Sequence, residues 1–378
     1  MKRVRHRVAK GLRITALAFL VLLAVALVTH PGRVALKSGA LLVEIFPDAP
    51  VYPLRLVTRA PARLAVSYTV ADGTTTADVY RPAGDGRHGA FVFYIGIGPE
   101  TRNPNVVRLS KALARAGVVV MVPVSPELSR FRVVPEEKEG VIAAFKYLSA
   151  QEYVDPDRVG IMGVSAGGSL VALGAADPRI ANDVRLIELF GSYYDASSVV
   201  AAITVRSIDV SGQRVAWSPD DVPIKTFRDM ILPTLPEADR PRLAPLFAGK
   251  VIQIPPGLSA EGRSVAELLI NRDPARVPAL LAALPATTKR TLQAISPSAE
   301  IDGLRTELFL LHDVDDAIIP HTESRAFYRA ATQSRDRHLT EVQMFRHVEP
   351  TGIENPLVLT REGLKLYRHM FQILLRLT

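Results

Sequence analysis

The stretch Gly163-Val164-Ser165-Ala166-Gly167 decides how this chain is read. Before it stands an apolar run, Val159-Gly160-Ile161-Met162. After it comes a small-residue run, Gly168-Ser169-Leu170-Val171-Ala172-Leu173-Gly174-Ala175-Ala176. The first reads as a buried strand and the second as a closely packed helix. A serine at so sharp a strand-to-helix turn is exposed and held ready as a nucleophile. The flanking glycines matter because the turn strains the backbone and leaves no room for side chains. The five-residue pattern is a weak sign alone; its strand–turn–helix setting gives it weight.

The segments on either side repeat that alternation. Leu64–Val70 and Thr76–Tyr80 read as a hairpin across Ala71-Asp72-Gly73. Ala90–Ile95 and Val118–Val124 read as buried strands, with a helix over Val106–Ala116 between them that stops at Gly117. Pro135–Ala150 has amphipathic spacing. Val184–Phe190, Thr306–Leu311 and Glu341–Phe345 are further strands. Thr360–Leu377 closes the chain as a helix with Leu364, Tyr367, Met370, Phe371 and Leu374 inward. Short β-branched runs alternating with helical patterns imply an α/β domain whose mostly parallel sheet is covered on both faces.

The alternation breaks between 195 and 295. That interval holds eleven of the 28 prolines, the lone Trp217 and short helical pieces at Val265–Ile270 and Val277–Leu284. It is too long for a loop, and reads as a helical cap inserted between core segments 63–194 and 296–378. A decorative insertion away from the site is the alternative.

Composition sets the outer bounds. With 48% hydrophobic and 22% charged residues, the 378-residue chain can bury a full core. Six of the charges behind the net +8 lie in residues 1–13: Lys2, Arg3, Arg5, Arg7, Lys10 and Arg13. No basic stripe interleaved with aromatics follows, so nucleic acid is not an expected partner. The basic tail runs into apolar residues 14–28, the order of an export signal. Residues 1–30 therefore read as a signal-anchor that tethers an extracytoplasmic domain to the membrane, with secretion after cleavage as the alternative. The proline-bearing residues 31–62 read as a linker. Without cysteine there is no disulfide, thiol nucleophile or thiolate metal site.

A serine hydroxyl needs a base within hydrogen-bond reach, and the base needs an orienting acid. Of eight histidines, His347 is the best base, because it follows a strand by one residue and active-site groups collect at the carboxyl ends of such strands. Three carboxylates, Asp313, Asp315 and Asp316, follow the strand ending at Leu311. They could suggest a metal, but no second ligand cluster accompanies them, so no metal or cofactor is expected.

Here the chain resembles the α/β-hydrolases of the serine esterase, lipase and peptidase kind. The elbow Gly163–Gly168, the lead-in Val154-Asp155-Pro156-Asp157-Arg158-Val159-Gly160-Ile161 and the segment His312–Pro320 carry the likeness. The last is similar to the family's acid loop, and aligned on Pro320 it implies Asp316 as the acid. The order Ser165, Asp316, His347 is the one that fold uses. Two departures stand out. Asp313 replaces the usual glycine beside His312, and the family's His-Gly after the third strand is here Tyr94-Ile95-Gly96-Ile97-Gly98. An oxyanion hole is built from backbone N–H groups, so the resemblance implies the amides of Ile97 or Gly98 together with that of Ala166. The activity implied is hydrolysis of a small-molecule or lipid carboxylic ester through an acyl-enzyme. A membrane-anchored acyltransferase or thioesterase, and an inactive binding member, are the alternatives.

Overall fold

The computed structural model describes residues 21 and 24–378, apart from 48, 72, 99–101, 248–252 and 352–354. Most of the expected signal-anchor, and Asp72 of the first hairpin turn, lie outside the described residues. Among the described residues no helix is long and apolar enough to cross a membrane.

Before the sheet come α1 (His30–Ile45) and α2 (Pro53–Val57). This corrects the reading of 31–62 as a linker. Pro31 and Pro53 suggest irregular chain by sequence, but both sit in the first turn of a helix, where a missing N–H costs nothing. Thr29 caps α1 by accepting from the Gly32 amide at 3.2 Å. Val34 and Leu41 of α1 are buried in the core.

The chain then runs through β1 (Ala62–Val70), β2 (Gly73–Arg81), β3 (His88–Tyr94), α3 (Pro104–Ala116), β4 (Val119–Pro123), α4 (Pro126–Ser129), α5 (Glu137–Ser149), β5 (Val154–Val164), α6 (Ala166–Ala176) and β6 (Leu186–Phe190). The interval read as a cap holds α7 (Ala196–Val205), β7 (Ser207–Val210), β8 (Gln213–Ala216), α8 (Asp221–Ile231), α9 (Arg240–Phe247), α10 (Ala260–Ile270), α11 (Val277–Ala282) and α12 (Ala286–Ala294). It is not purely helical. β7 and β8 form a hairpin whose two-residue turn, Ser211-Gly212, takes positive φ at both positions; a small-residue Gly turn between alternating Ile208, Val210 and Val215 is its signature in the sequence. The core resumes with β9 (Glu307–Asp313), α13 (Thr322–Ala330), β10 (Arg337–Val342), β11 (Phe345–Arg346), β12 (Glu349–Pro350) and α14 (Pro356–Leu377).

The main sheet has eight strands in the order β1-β2-β4-β3-β5-β6-β9-β10. β2 is antiparallel to both its neighbours, and the remaining pairs are parallel. Alternation along the central strands sends side chains into two cores. Phe91, Phe93 and Met162 face α1, α3 and α14, while Val92, Tyr94 and Ile161 face α5, α6 and the inserted helices. α14 turns a different stripe inward than expected: Leu366, Met370, Ile373 and Leu374 are buried, but Leu364 is 63% exposed.

α6, the helix after Ser165, is buried along its whole length. Its far end is tied down by ions. Arg179 donates to Asp177 at the end of α6 and to Glu139 of α5. The Arg179 hydrogen bond holds the Asp177 carboxyl at about 2. A depressed carboxylate stabilises the fold fully above its unfolded value near 3.9, and that contribution disappears as pH falls toward the folded value. Acid titration of stability should therefore show a steeper loss between about pH 4 and 2 in the parent than in Asp177→Asn, as followed by circular dichroism.

Candidate active site

β5 ends at Val164, and Ser165 makes the turn with φ 55° and ψ −137° before α6 begins at Ala166. For a residue with a Cβ this is a strained backbone, held because the surrounding packing over-determines it. The glycines around it are steric requirements. A Cβ on Gly163 would lie 2.5 Å from the Gly168 Cα, and one on Gly167 would lie 2.3 Å from the Ile95 carbonyl oxygen. Ser165 is half-buried and lines a cavity of about 780 Å³ together with His347.

His347 follows a strand as expected, but that strand is not part of the main sheet. The expected strand Glu341–Phe345 is displaced: β10 ends at Val342, and the chain leaves the sheet to form the β11–β12 hairpin with His347-Val348 as its two-residue turn. His347 takes φ 59°, the left-handed conformation that such tight hairpins need. Asp313 fastens the displaced segment. Its buried carboxylate accepts from the Met344 and Phe345 amides, both at 2.8 Å, and from the Asp315 amide at 2.9 Å. Those two amides are thereby drawn to the end of β9. Burial pushes the Asp313 carboxyl up, against the opposing pull of the three amides.

Asp316 is the carboxylate that meets the histidine. His347 Nδ1 donates to Asp316 Oδ2 at 2.6 Å, and Asp316 Oδ1 accepts from the Ile318 and Ile319 amides at 2.7 and 3.0 Å. Asp315 is turned away and accepts from the Gln343 side chain at 3.2 Å. Of the three aspartates left open by the sequence, one anchors the histidine's hairpin, one lies aside, and one orients the imidazole.

His312 is a further member that sequence reasoning passed over. Its Nε2 stands 3.0 Å from the Ile319 carbonyl and 3.2 Å from Asp316 Oδ2, and its Nδ1 stands 2.6 Å from Ser324 Oγ. A carbonyl only accepts, so Nε2 carries the proton and Ser324 donates to Nδ1. Asp316 thus receives N–H groups from two histidines and two amides. Burial works to raise its carboxyl, but His347 and His312 outweigh burial and hold it well below the usual carboxylate range. Trp217, on the inserted region, donates from Nε1 to the Asp316 carbonyl at 2.8 Å and ties that region to the acid loop.

With Nδ1 donating to Asp316, the lone pair of His347 is on Nε2. That atom is buried with no hydrogen-bond partner among the described residues. It is free to take a proton, and the hydroxyl of Ser165 opens on the same cavity.

The oxyanion side needs one correction. The Gly98 amide donates to the Leu128 carbonyl at 3.2 Å, so it is not available to a substrate. The Ile97 and Ala166 amides make no hydrogen bond among the described residues, and both residues line the cavity. Ala166 opens α6, whose first N–H groups have no partner within the helix. Gly96 lets this loop approach the nucleophile: a Cβ there would lie 2.7 Å from the Ser165 Cβ and 3.2 Å from its Oγ. Gly96→Ala should lower kcat/KM by about 10²-fold, the usual effect of displacing a reacting group by about 1 Å. Steady-state kinetics beside a melting curve would separate this from loss of fold.

Comparison with known proteins gives the following. Residues 136–180, which include α5, β5, the elbow and α6, match the model of the prolyl oligopeptidase family. No curated protein sequence matches the chain. Among solved structures, the acylaminoacyl peptidase of Pyrococcus horikoshii is similar at 12% identity and a TM-score of 0.48, over 84% of this chain and 41% of that one. The chain therefore spans less than half of that peptidase. A 2,6-dihydroxy-pseudo-oxynicotine hydrolase is similar at 14% identity and 0.49, over 83% and 68% of the two chains. The dienelactone hydrolase of Anabaena variabilis is similar at 14% and 0.42, over 82% and 97%. In its strand order and its strand–Ser165–helix turn, the chain has the α/β-hydrolase fold.

Proposed function

We propose that this protein is a serine hydrolase that cleaves carboxylic esters with an apolar acyl group. The observation that carries the reading is the convergence on one cavity of a strained Ser165, the unpartnered Nε2 of His347, and Asp316 bonded behind it. Ser165 Oγ attacks the carbonyl while His347 Nε2 takes its proton. The oxyanion is received by the Ile97 and Ala166 amides. His347 returns the proton to the leaving oxygen, and water resolves the acyl-enzyme by the same steps. Asp316 stays ionised throughout and stabilises the imidazolium as it forms.

An amide or peptide bond is the second reading, favoured by the match of residues 136–180 to the prolyl oligopeptidase family. The apolar lining supports the ester: Val200, Ile203, Phe227 and Met230 from the inserted region, with Ile318 from the loop after β9, line the cavity at Ser165. Labelling by a fluorophosphonate, followed by turnover of p-nitrophenyl esters against aminoacyl p-nitroanilides, tests both. Labelling with ester turnover is expected; anilide turnover in excess of ester turnover would favour the peptidase, and absence of labelling would remove both.

We further propose that residues 1–30 tether this hydrolase to a membrane with its catalytic domain outside the cytoplasm. The order of basic tail and apolar run supports this. Protease added to intact cells should then degrade the domain.

A further inference from the structure

The cavity at Ser165 has two sides, and only one of them is built by the inserted helices. The other reaches past the ends of β5 and β6 into the face of the sheet that carries α1, α3 and α14. Its walls there include Phe93, Met162 and Phe190 from the sheet, and Leu366, Met370 and Ile373 from α14. Leu41 and Ile45 of α1 and Leu109 and Leu113 of α3 complete it. Apolar space against a core is ordinarily filled by side chains. Here such space opens at the nucleophile itself.

We infer that this α14-side lobe is the binding site for the acyl chain of the substrate, and that the chain is aliphatic and of medium length. The inference rests on the proposed serine-hydrolase reading and adds the substrate class. The length follows from where the apolar lining is interrupted. Glu188 of β6 and His369 of α14 both line the lobe, paired through His369 Nε2 and Glu188 Oε2 at 2.8 Å. Glu188 lies in register with Met162, three residues before Ser165. At about 3.3 Å per residue the pair is about 10 Å below the nucleophile. An extended hydrocarbon of about eight carbons covers that distance. A longer chain would have to run beside a buried carboxylate, which burial of apolar carbon does not favour.

The test is a chain-length series of p-nitrophenyl esters on the full-length protein, with two blocking variants. In the parent, kcat/KM should rise about fourfold per methylene up to about eight carbons and stop rising by about ten. Met370→Trp should lower the octanoate-to-acetate ratio of kcat/KM by about 250-fold, since it excludes about four of the six methylenes by which the two acyl groups differ. A melting curve checks that this variant folds, and Leu366→Phe takes its place if it does not. A flat chain-length series would overturn the inference, and so would a larger loss of that ratio in Ile203→Trp, which narrows the other side of the cavity. Calorimetric binding of octanoic acid to Ser165→Ala protein separates the site from the chemistry. Binding that Met370→Trp abolishes supports the lobe even if no ester is turned over, in which case the hydrolase reading alone fails. No binding overturns the lobe whatever the catalytic result.

Discussion

Ser165→Ala should abolish fluorophosphonate labelling and lower kcat on an activated ester by about 10⁶-fold, the scale on which loss of the nucleophile disables such a constellation. The unfolding temperature should barely move, because alanine keeps the Cβ and inherits the same strained backbone. Ser165→Gly makes the complementary case. At φ 55° and ψ −137° the residue occupies a region that is almost restricted to glycine. Such strain costs about 1–3 kcal/mol, so Ser165→Gly should be equally inactive yet more stable than Ser165→Ala. Thermal or urea unfolding of the two variants side by side measures the difference. A result in which glycine is the less stable of the two would show that the elbow carries no such strain. The chain would then be holding a serine there at no cost, and the reading of the turn as an activated nucleophile would lose its strongest physical support.

Asp316→Asn should lower kcat by about 10⁴-fold through the histidine rather than through any contact with substrate. The carboxylate is surrounded only by donors. Its Oδ2 faces His347 Nδ1 and His312 Nε2, and its Oδ1 faces the Ile318 and Ile319 amides. An amide group must turn its NH₂ toward one pair or the other. Toward the histidines, it invites His347 to accept at Nδ1 and carry its proton on Nε2, which removes the base. Toward the backbone amides, it sets donor against donor in a buried loop, at a cost of about 1–3 kcal/mol. Both orientations predict a loss in kcat larger than any change in KM, together with a lower unfolding temperature. The same change at Asp315, whose carboxylate lies aside and accepts from the Gln343 side chain, should cost far less than tenfold. Comparable losses at both positions would mean that the acid had been assigned to the wrong aspartate.

The parts of this protein that were legible in its sequence are those governed by local chemistry. The elbow could be read because a strained turn between a buried strand and a buried helix needs glycines at fixed offsets around Ser165. The alternation of short apolar runs with helical spacing could be read as a mostly parallel sheet for the same reason: periodicity follows from which faces are buried. The late histidine was visible because it follows an apolar run near the chain end. Local signals also misled. Pro31 and Pro53 look like linker punctuation, and only the docking of α1 against α3 and α14 shows that they begin helices.

What tertiary structure alone decided are the matters of one group among several equals. Asp313, Asp315 and Asp316 are the same residue type within four positions, and no local rule separates them. Their roles are assigned by what the far end of the chain brings: the amides of Met344 and Phe345 to the first, the side chain of Gln343 to the second, and the imidazole of His347 to the third. The candidate oxyanion donors divide in the same way, because Leu128 takes the Gly98 amide and leaves that of Ile97. His312 supports the acid only because the loop folds back over it. Sequence by itself determined the elbow at Ser165 and the type of sheet that presents it, since both depend on neighbours a few residues away. The partners of that serine, and the apolar lobe beside it, depend on contacts between residues tens to hundreds of positions apart, and those exist only once the chain has closed.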